Sequence, residues 1–304
     1  MKKLSCEQQK AIENWLYNNA RPLEAAKWDM MFGRTSKDNL VKEMQKYQNT
    51  DGGFGNALEA DILTPESSAT ASGEAIFTAQ DFALNLTADW AKKLYGYFEN
   101  TRQDTPSFWE CVPKSLEDYP HPPWWGYGED TKFTPNPCAV IASALILCGT
   151  ESQKSIGHEI AAKCFDFILN DDRFSDHDTY CLQRLFLSLK QLKSDLITAK
   201  SISAMENRIS SVVCYDESKW LEYFSQLLDL VDSPSSPWYH VIQDGIEKNA
   251  EYWIDNLNAE GVWQPNFSWG VDTEESRTAI RSWTGYIAVR RVKILKAFGF
   301  AEDY

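Results

Sequence analysis

Apolar residues recur every three or four positions along most of this chain, the spacing that gathers them on one face of an α-helix. Leu40, Val41, Met44 and Tyr47 have it, as do Trp90, Leu94, Tyr95 and Phe98. Strict polar/apolar alternation is absent, so no sheet is expected beyond short hairpins near glycine turns. Ser5 with Gln8 has the spacing of a capping box and opens a helix carrying Ile12, Trp15 and Leu16 on one side. Arg21-Pro22 opens a second helix that Gly33 closes, and Ser36 caps a third. An alanine- and serine-rich helix from Ser67 has small residues at Ala69, Ala71, Ser72, Gly73 and Ala75, which predicts an inner helix with close neighbours. Thr87 is expected to cap the helix bearing Trp90. The prolines between Pro113 and Pro137 forbid regular helix through much of this stretch, which is the longest loop. Further helices are predicted at roughly 155–170, 178–193, 198–213, 218–231 and 237–257, with a last one from Thr273 to Gly299. The expected class is all-α, about twelve helices, in one domain spanning 1–304, since no long linker divides the chain.

One stretch interrupts the helical pattern in a way that returns. Tyr47-Gln48-Asn49-Thr50-Asp51-Gly52-Gly53-Phe54-Gly55 stops one helix at a glycine-rich turn, and a new helix starts after Pro65. Glycines there supply positive φ at low steric cost, leaving Phe54 to pack inward. Trp124-Trp125-Gly126-Tyr127-Gly128-Glu129-Asp130 leads in the same manner through Pro135 and Pro137 into Cys138–Leu145. Glu260-Gly261-Val262-Trp263-Gln264 and Trp269-Gly270-Val271-Asp272 lead into Glu274-Glu275-Ser276-Arg277, and Asp171–Phe174 is a fainter copy. Repetition of helix, turn and helix predicts stacked helical pairs.

Charge narrows the partners. A net charge of -14 over 304 residues disfavours nucleic acid and anionic membrane surfaces, both of which call for a basic stripe. No apolar run approaches the length of a membrane span and the amino terminus has no apolar leader, so a cytoplasmic protein is expected. Seven cysteines without a Cys-x-x-Cys pair, and four histidines without metal-ligand spacing, predict reduced core thiols, no metal and no cofactor. A small molecule is the expected ligand.

Acidic residues beside the glycine turns are the candidates for chemistry: Glu59, Asp61, Glu129, Asp130, Asp272 and Glu274. Two carboxylates facing each other in a partly dry cavity acquire separated pKa values, one acid and one base. Glu59, Asp61, Asp130 and Asp272 form the catalytic set, with Asp61 and Asp130 first. The plainer reading is that carboxylates before a helix cap it. Phe54, Trp124, Trp125, Tyr127, Trp263 and Trp269 are candidates to line a ligand cavity, suited to a prenyl chain or to a sugar ring; packing between helices accounts for such rings equally well. Arg277, with Arg281 four residues on, suits a carboxylate or diphosphate if it faces the cavity, and a surface ion pair otherwise.

The segment Gln48–Gly55, together with Gly261-Val262-Trp263, resembles the glutamine/glycine/aromatic repeats of the terpenoid cyclase and protein prenyltransferase superfamily. The resemblance implies an α/α toroid, an inner ring of helices within an outer ring around a central cavity. It also implies an apolar, isoprenoid-like substrate in an aromatic-lined hollow, with carboxylate acid/base catalysis of the cyclase, isomerase or lyase type. The superfamily's catalytic signatures are not matched. Where its Asp-x-Asp-Asp acid precedes an inner helix, this chain has Asn136-Pro137. No Asp, Cys and His trio for zinc can be placed, and Asp171-Asp172 is followed by Arg173, Phe174 and Ser175. Related helical toroids include glycoside hydrolases and polysaccharide lyases with paired carboxylates, so a carbohydrate-active protein is the alternative, and a non-catalytic binding protein a third. An apolar closed cavity favours the isoprenoid; an open groove of hydrogen-bonding side chains favours the sugar.

Overall fold

A computed structural model describes residues 1–104, 107–128, 133–171, 173 and 175–304, with the backbone alone at 104 and 107. Among these residues the fold is all-α. The helices are α1 (Cys6–Asn19), α2 (Pro22–Met31), α3 (Lys37–Gln45), α4 (Ala69–Asp81), α5 (Asp89–Thr101), α6 (Pro135–Cys148), α7 (Glu151–Asn170), α8 (Asp176–Gln191), α9 (Ala199–Val212), α10 (Leu227–Leu230), α11 (Tyr239–Ile242), α12 (Ile246–Asp255) and α13 (Glu274–Ala297). A hairpin of two-residue strands, β1 (Gln103–Asp104) and β2 (Ser107–Phe108), pairs Gln103 with Phe108. None of the described helices is long and apolar enough to cross a membrane.

Local chemistry accounts for most of the helix ends. Ser5 and Gln8 exchange side-chain and backbone bonds in the expected capping box, Pro22 opens α2, and Gly33 follows it at φ +66. Ser68 caps α4, and Thr273 caps α13 by accepting from Ser276. Three expectations are corrected. Thr87 does not cap α5: its N–H and hydroxyl both donate to Asn85 Oδ1, and the helix starts from Ala88 without a side-chain cap. The helix expected over 218–231 shrinks to a 3-10 turn at Glu217–Lys219 and the single turn of α10, because the Cys214 N–H pairs with the Ser225 carbonyl and pulls the chain back on itself. The helix expected over 237–257 is broken into α11, a 3-10 turn and α12, with Gly245 at the joint and Leu227 packed close against it.

The chain forms two compact units, Met44–Arg208 and the combination of Met1–Glu43 with Ile209–Tyr304. In the first, α6 is apolar all round and buried from Pro137 to Ile146, as a central helix must be. Helices α4, α7 and α8 pack on it. The small residues of α4 permit this: a Cβ on Gly73 would lie 3.4 Å from both Pro137 and Val140. Gln80 donates to Ser143 at 2.9 Å and Arg184 pairs with Asp81 at 2.7 Å. Four of the seven cysteines, Cys111, Cys138, Cys164 and Cys181, are buried here, none of them in a disulfide.

In the second unit α13 packs on α1 and α2, with Gly285 against Ala20 and Glu24. The fully buried carboxylate of Glu24 is held by Arg21 through two bonds, 2.9 and 2.8 Å. The buried side chain of Gln226 joins the segment before α10 to α12. Its Oε1 accepts from Asn249 and from Trp253, 2.8 Å each, and its Nε2 donates to the Trp220 carbonyl. Trp263 donates in turn to the Trp253 carbonyl at 2.7 Å, closing the end of α12.

Candidate functional site

The glycine turn after α3 is built by its own sequence. Asn49 N–H donates to the Gly53 carbonyl, Gly52 N–H returns to the Asn49 carbonyl, and Asp51 Oδ1 accepts from the Gly53 N–H and the Ser67 hydroxyl. Gln48 Nε2 donates to the carbonyls of Gly52 and Trp90, 2.9 Å each, fastening the turn to the start of α5. Contact is so close that a Cβ on Gly52 would lie 2.3 Å from the Lys93 carbonyl oxygen, and one on Gly53 would lie 2.8 Å from the Tyr97 ring. Glycine is required at both.

Beside this turn opens a pocket of about 550 Å³. Its floor is Asn49, Thr50 and Asp51, one wall is Pro65 to Ala69, and the opposite wall comes from Tyr97 and Thr101 of α5 with Gln103, Trp109, Glu110, Val112 and Pro113. Asn49 Nδ2 donates to the Pro65 carbonyl and the Ser67 hydroxyl, at 2.8 and 3.0 Å, which joins floor to wall. Gln103 donates to Glu110 Oε1 at 2.7 Å. Three carboxylates, Asp51, Glu66 and Glu110, therefore border one space, and among the described residues no lysine or arginine lines it. Asp51 Oδ2, Glu110 Oε2 and both oxygens of Glu66 accept nothing from the described protein, so the pocket presents acceptors in excess. Burial, and then the Asp51 carboxylate, push the Tyr97 hydroxyl well above its ordinary pKa, so it stays a neutral donor.

Those residues singled out from the sequence that are described lie elsewhere. Phe54 is wholly buried, edge-to-face on Trp90 at 6.4 Å, its N–H bonded to Ser72. Glu59 and Asp61 are buried too, 5% and 2% exposed, in the segment between the turn and α4, and neither lines the pocket. Asp130, like Glu129, lies outside the described residues. Trp124 and Tyr127 are exposed, and the Tyr127 N–H donates to Glu117. Trp125 packs on the cluster of Ile62, Cys111, Val112 and Leu116. Trp263 and Trp269 are core residues of the other unit. Asp272 there is 85% exposed and pairs with Arg277 at 2.6 Å, while Glu274 meets the same arginine at 3.3 Å, so these form the surface ion pair.

Sequence reasoning missed Glu66, Glu110 and Tyr97, and took Asp51 only as a turn former. No group of three or more histidine, cysteine, aspartate or glutamate side chains among the described residues is placed to hold a metal ion. Compared with models of protein families, with curated proteins and with solved structures, the chain matches none.

Proposed function

We propose that the pocket beside the first glycine turn binds a ligand of the saccharide class, on a helical-repeat scaffold of the α/α-toroid kind. One observation carries the reading: Asp51, Glu66 and Glu110 surround a single open space with unengaged carboxylate oxygens, and among the described residues no lysine or arginine lines it. Such a space suits a ligand rich in hydroxyl donors. The apolar surfaces of Val112, Pro113 and Tyr97 suit the C–H face of a sugar ring, and the remaining polar groups fix its orientation. If the ligand is turned over, two of the three carboxylates supply the acid and the base. An isoprenoid substrate calls for an apolar, closed lining, whereas this pocket is open and bordered by three carboxylates.

A thermal-shift and calorimetric screen tests the reading, with neutral and amino oligosaccharides in one arm and prenyl diphosphates in the other. Expected is a saccharide that raises the melting temperature of the wild type and loses at least tenfold in affinity in Glu66→Gln, whose side chain supports no other part of the fold. Stabilisation by prenyl diphosphates alone, or a saccharide response unchanged in both Glu66→Gln and Glu110→Gln, overturns it.

A further inference from the structure

In the unit formed by Met1–Glu43 and Ile209–Tyr304, one cation stands apart from its neighbours. Arg291 of α13 is partly buried, with its guanidinium over the Trp253 ring at 4.4 Å and the Trp263 ring at 5.6 Å. Contacts of this kind hold the cation through the ring faces and do not themselves use up its N–H donors as hydrogen bonds to oxygen would. No acceptor among the described residues hydrogen-bonds to those donors, and no carboxylate pairs with the guanidinium. The carboxylate whose charge acts on it, Asp229, is already committed: Oδ1 takes Arg290 at 3.1 Å and Oδ2 takes the Gln226 N–H at 3.0 Å.

A second group, one residue before Trp253 on α12, lacks a partner. The Tyr252 hydroxyl is buried without a hydrogen bond; burial pushes its pKa up and the charge of Arg291 acts against that rise. Its ring is fixed by Trp220, edge-on at 4.9 Å. The walls are fixed as well, Trp253 through Gln226 and Trp263 through the Trp253 carbonyl. A guanidinium removed in part from water and a buried hydroxyl with no acceptor are each unfavourable alone. Both are relieved by the same thing, an anion with two or more oxygens. The bidentate edge of a guanidinium fits a carboxylate or phosphate, and a phenol adds a third donor.

We infer that Arg291, its guanidinium over the Trp253 and Trp263 rings, forms with the unpartnered Tyr252 hydroxyl a binding site for a small oxyanion, a carboxylate or a phosphate. On a chain of net charge -14, a site of this kind needs rigid, paired donors to draw an anion in, and these residues supply them.

The full chain is titrated with sodium phosphate and, separately, sodium acetate against sodium chloride at constant ionic strength. Tryptophan fluorescence is the first readout, since Trp253 and Trp263 touch the cation, and melting temperature the second. Expected is a saturable response to at least one oxyanion and none to chloride; phosphate alone marks a phosphorylated ligand, acetate alone a carboxylate. Arg291→Gln loses at least tenfold in affinity. Tyr252→Phe, which removes only an unbonded hydroxyl and keeps the ring against Trp220, loses about three- to tenfold. Absence of any saturable response, or undiminished affinity in either variant, overturns the site; if Arg291→Gln does not fold, Tyr252→Phe decides alone.

Discussion

Gly52 and Gly261 occupy the same step of the same turn. Each has positive φ, +93 and +77, and each donates its N–H to the carbonyl of an asparagine three residues earlier, Asn49 at 3.1 Å and Asn258 at 2.9 Å. In both turns that asparagine donates its own N–H to the residue after the glycine, Gly53 or Val262. An acidic residue precedes each glycine and a buried aromatic follows two places on, Phe54 in one and Trp263 in the other. The pattern Asn-x-Asp/Glu-Gly-x-aromatic is thus a repeated structural device, with a side-chain acceptor reinforcing it from Asp51 in the first turn and from Asn258 in the second.

Alanine at these two positions will not cost the same. Both substitutions force a left-handed backbone on a residue with a Cβ, for about 1 kcal/mol. At Gly261 the added carbon meets only Ala11 Cβ at 3.1 Å, whereas at Gly52 it falls on the Lys93 carbonyl. Urea denaturation is expected to show a loss of about 1–2 kcal/mol for Gly261→Ala and about 3 kcal/mol or more for Gly52→Ala.

Gln226→Leu removes one side chain and strands three groups: Asn249 Nδ2, Trp253 Nε1 and the Trp220 carbonyl. Buried donors without acceptors cost about 1–3 kcal/mol each, so a loss of about 3 kcal/mol or more is expected. Gln226→Glu, which keeps the acceptor at Oε1 but loses the donor and buries a charge, should also destabilise and should do so more at pH 8 than at pH 5. Equilibrium unfolding at the two pH values measures both variants.

Acid weakens the first two helices through Glu13. Burial alone raises the pKa of this carboxyl, but hydrogen bonds from Lys10, Tyr304 and Arg34 outweigh it and lower it from 4.5 to about 2. A depressed folded-state pKa stabilises above the unfolded value and loses that contribution as pH falls toward the folded value. Wild type is expected to exceed Glu13→Gln by about 2 kcal/mol at pH 7, with the gap closing between pH 4.5 and pH 2. Urea midpoints taken across that range check the window.

Asp272→Asn and Arg277→Gln should each change stability by less than about 0.5 kcal/mol, because the pair is exposed on both sides. Raising the salt concentration should erase even that difference. Thermal unfolding of the single and double variants gives the coupling directly.

Much of the fold was legible because it is written locally. Ser5 with Gln8, Pro22 and Gly33 declare helix ends in neighbouring residues, and the apolar spacing of α5 and α13 needs no long-range knowledge. Breaks are harder to see. Ile242, Ile246, Ala250 and Trp253 keep helical phase straight through Gly245, so the periodicity runs on where the backbone does not. Between Trp220 and Leu228 the apolar spacing also suits a helix, but the Gln226 side chain, bonded to three distant groups, holds a different path. The pocket was least legible of all. Asp51, Glu66 and Glu110 meet only because α5 returns beside the turn, and no spacing in the chain announces a meeting across about sixty residues. The aromatic residues chosen from the sequence divide between core and surface for the same reason, since spacing does not tell a ring that faces a ligand from one that fills a gap.

The amide of Gln48 links a loop to the beginning of a helix that supplies Tyr97 and Thr101 to the opposite side of the pocket. Floor and wall are consequently one mechanical piece. Opening the turn breaks the hold on Trp90, and fraying the start of α5 frees the turn, so the backbone hydrogens of residues 52–55 and of the first turn of α5 should exchange with heavy water at a common rate that slows together when the space is filled.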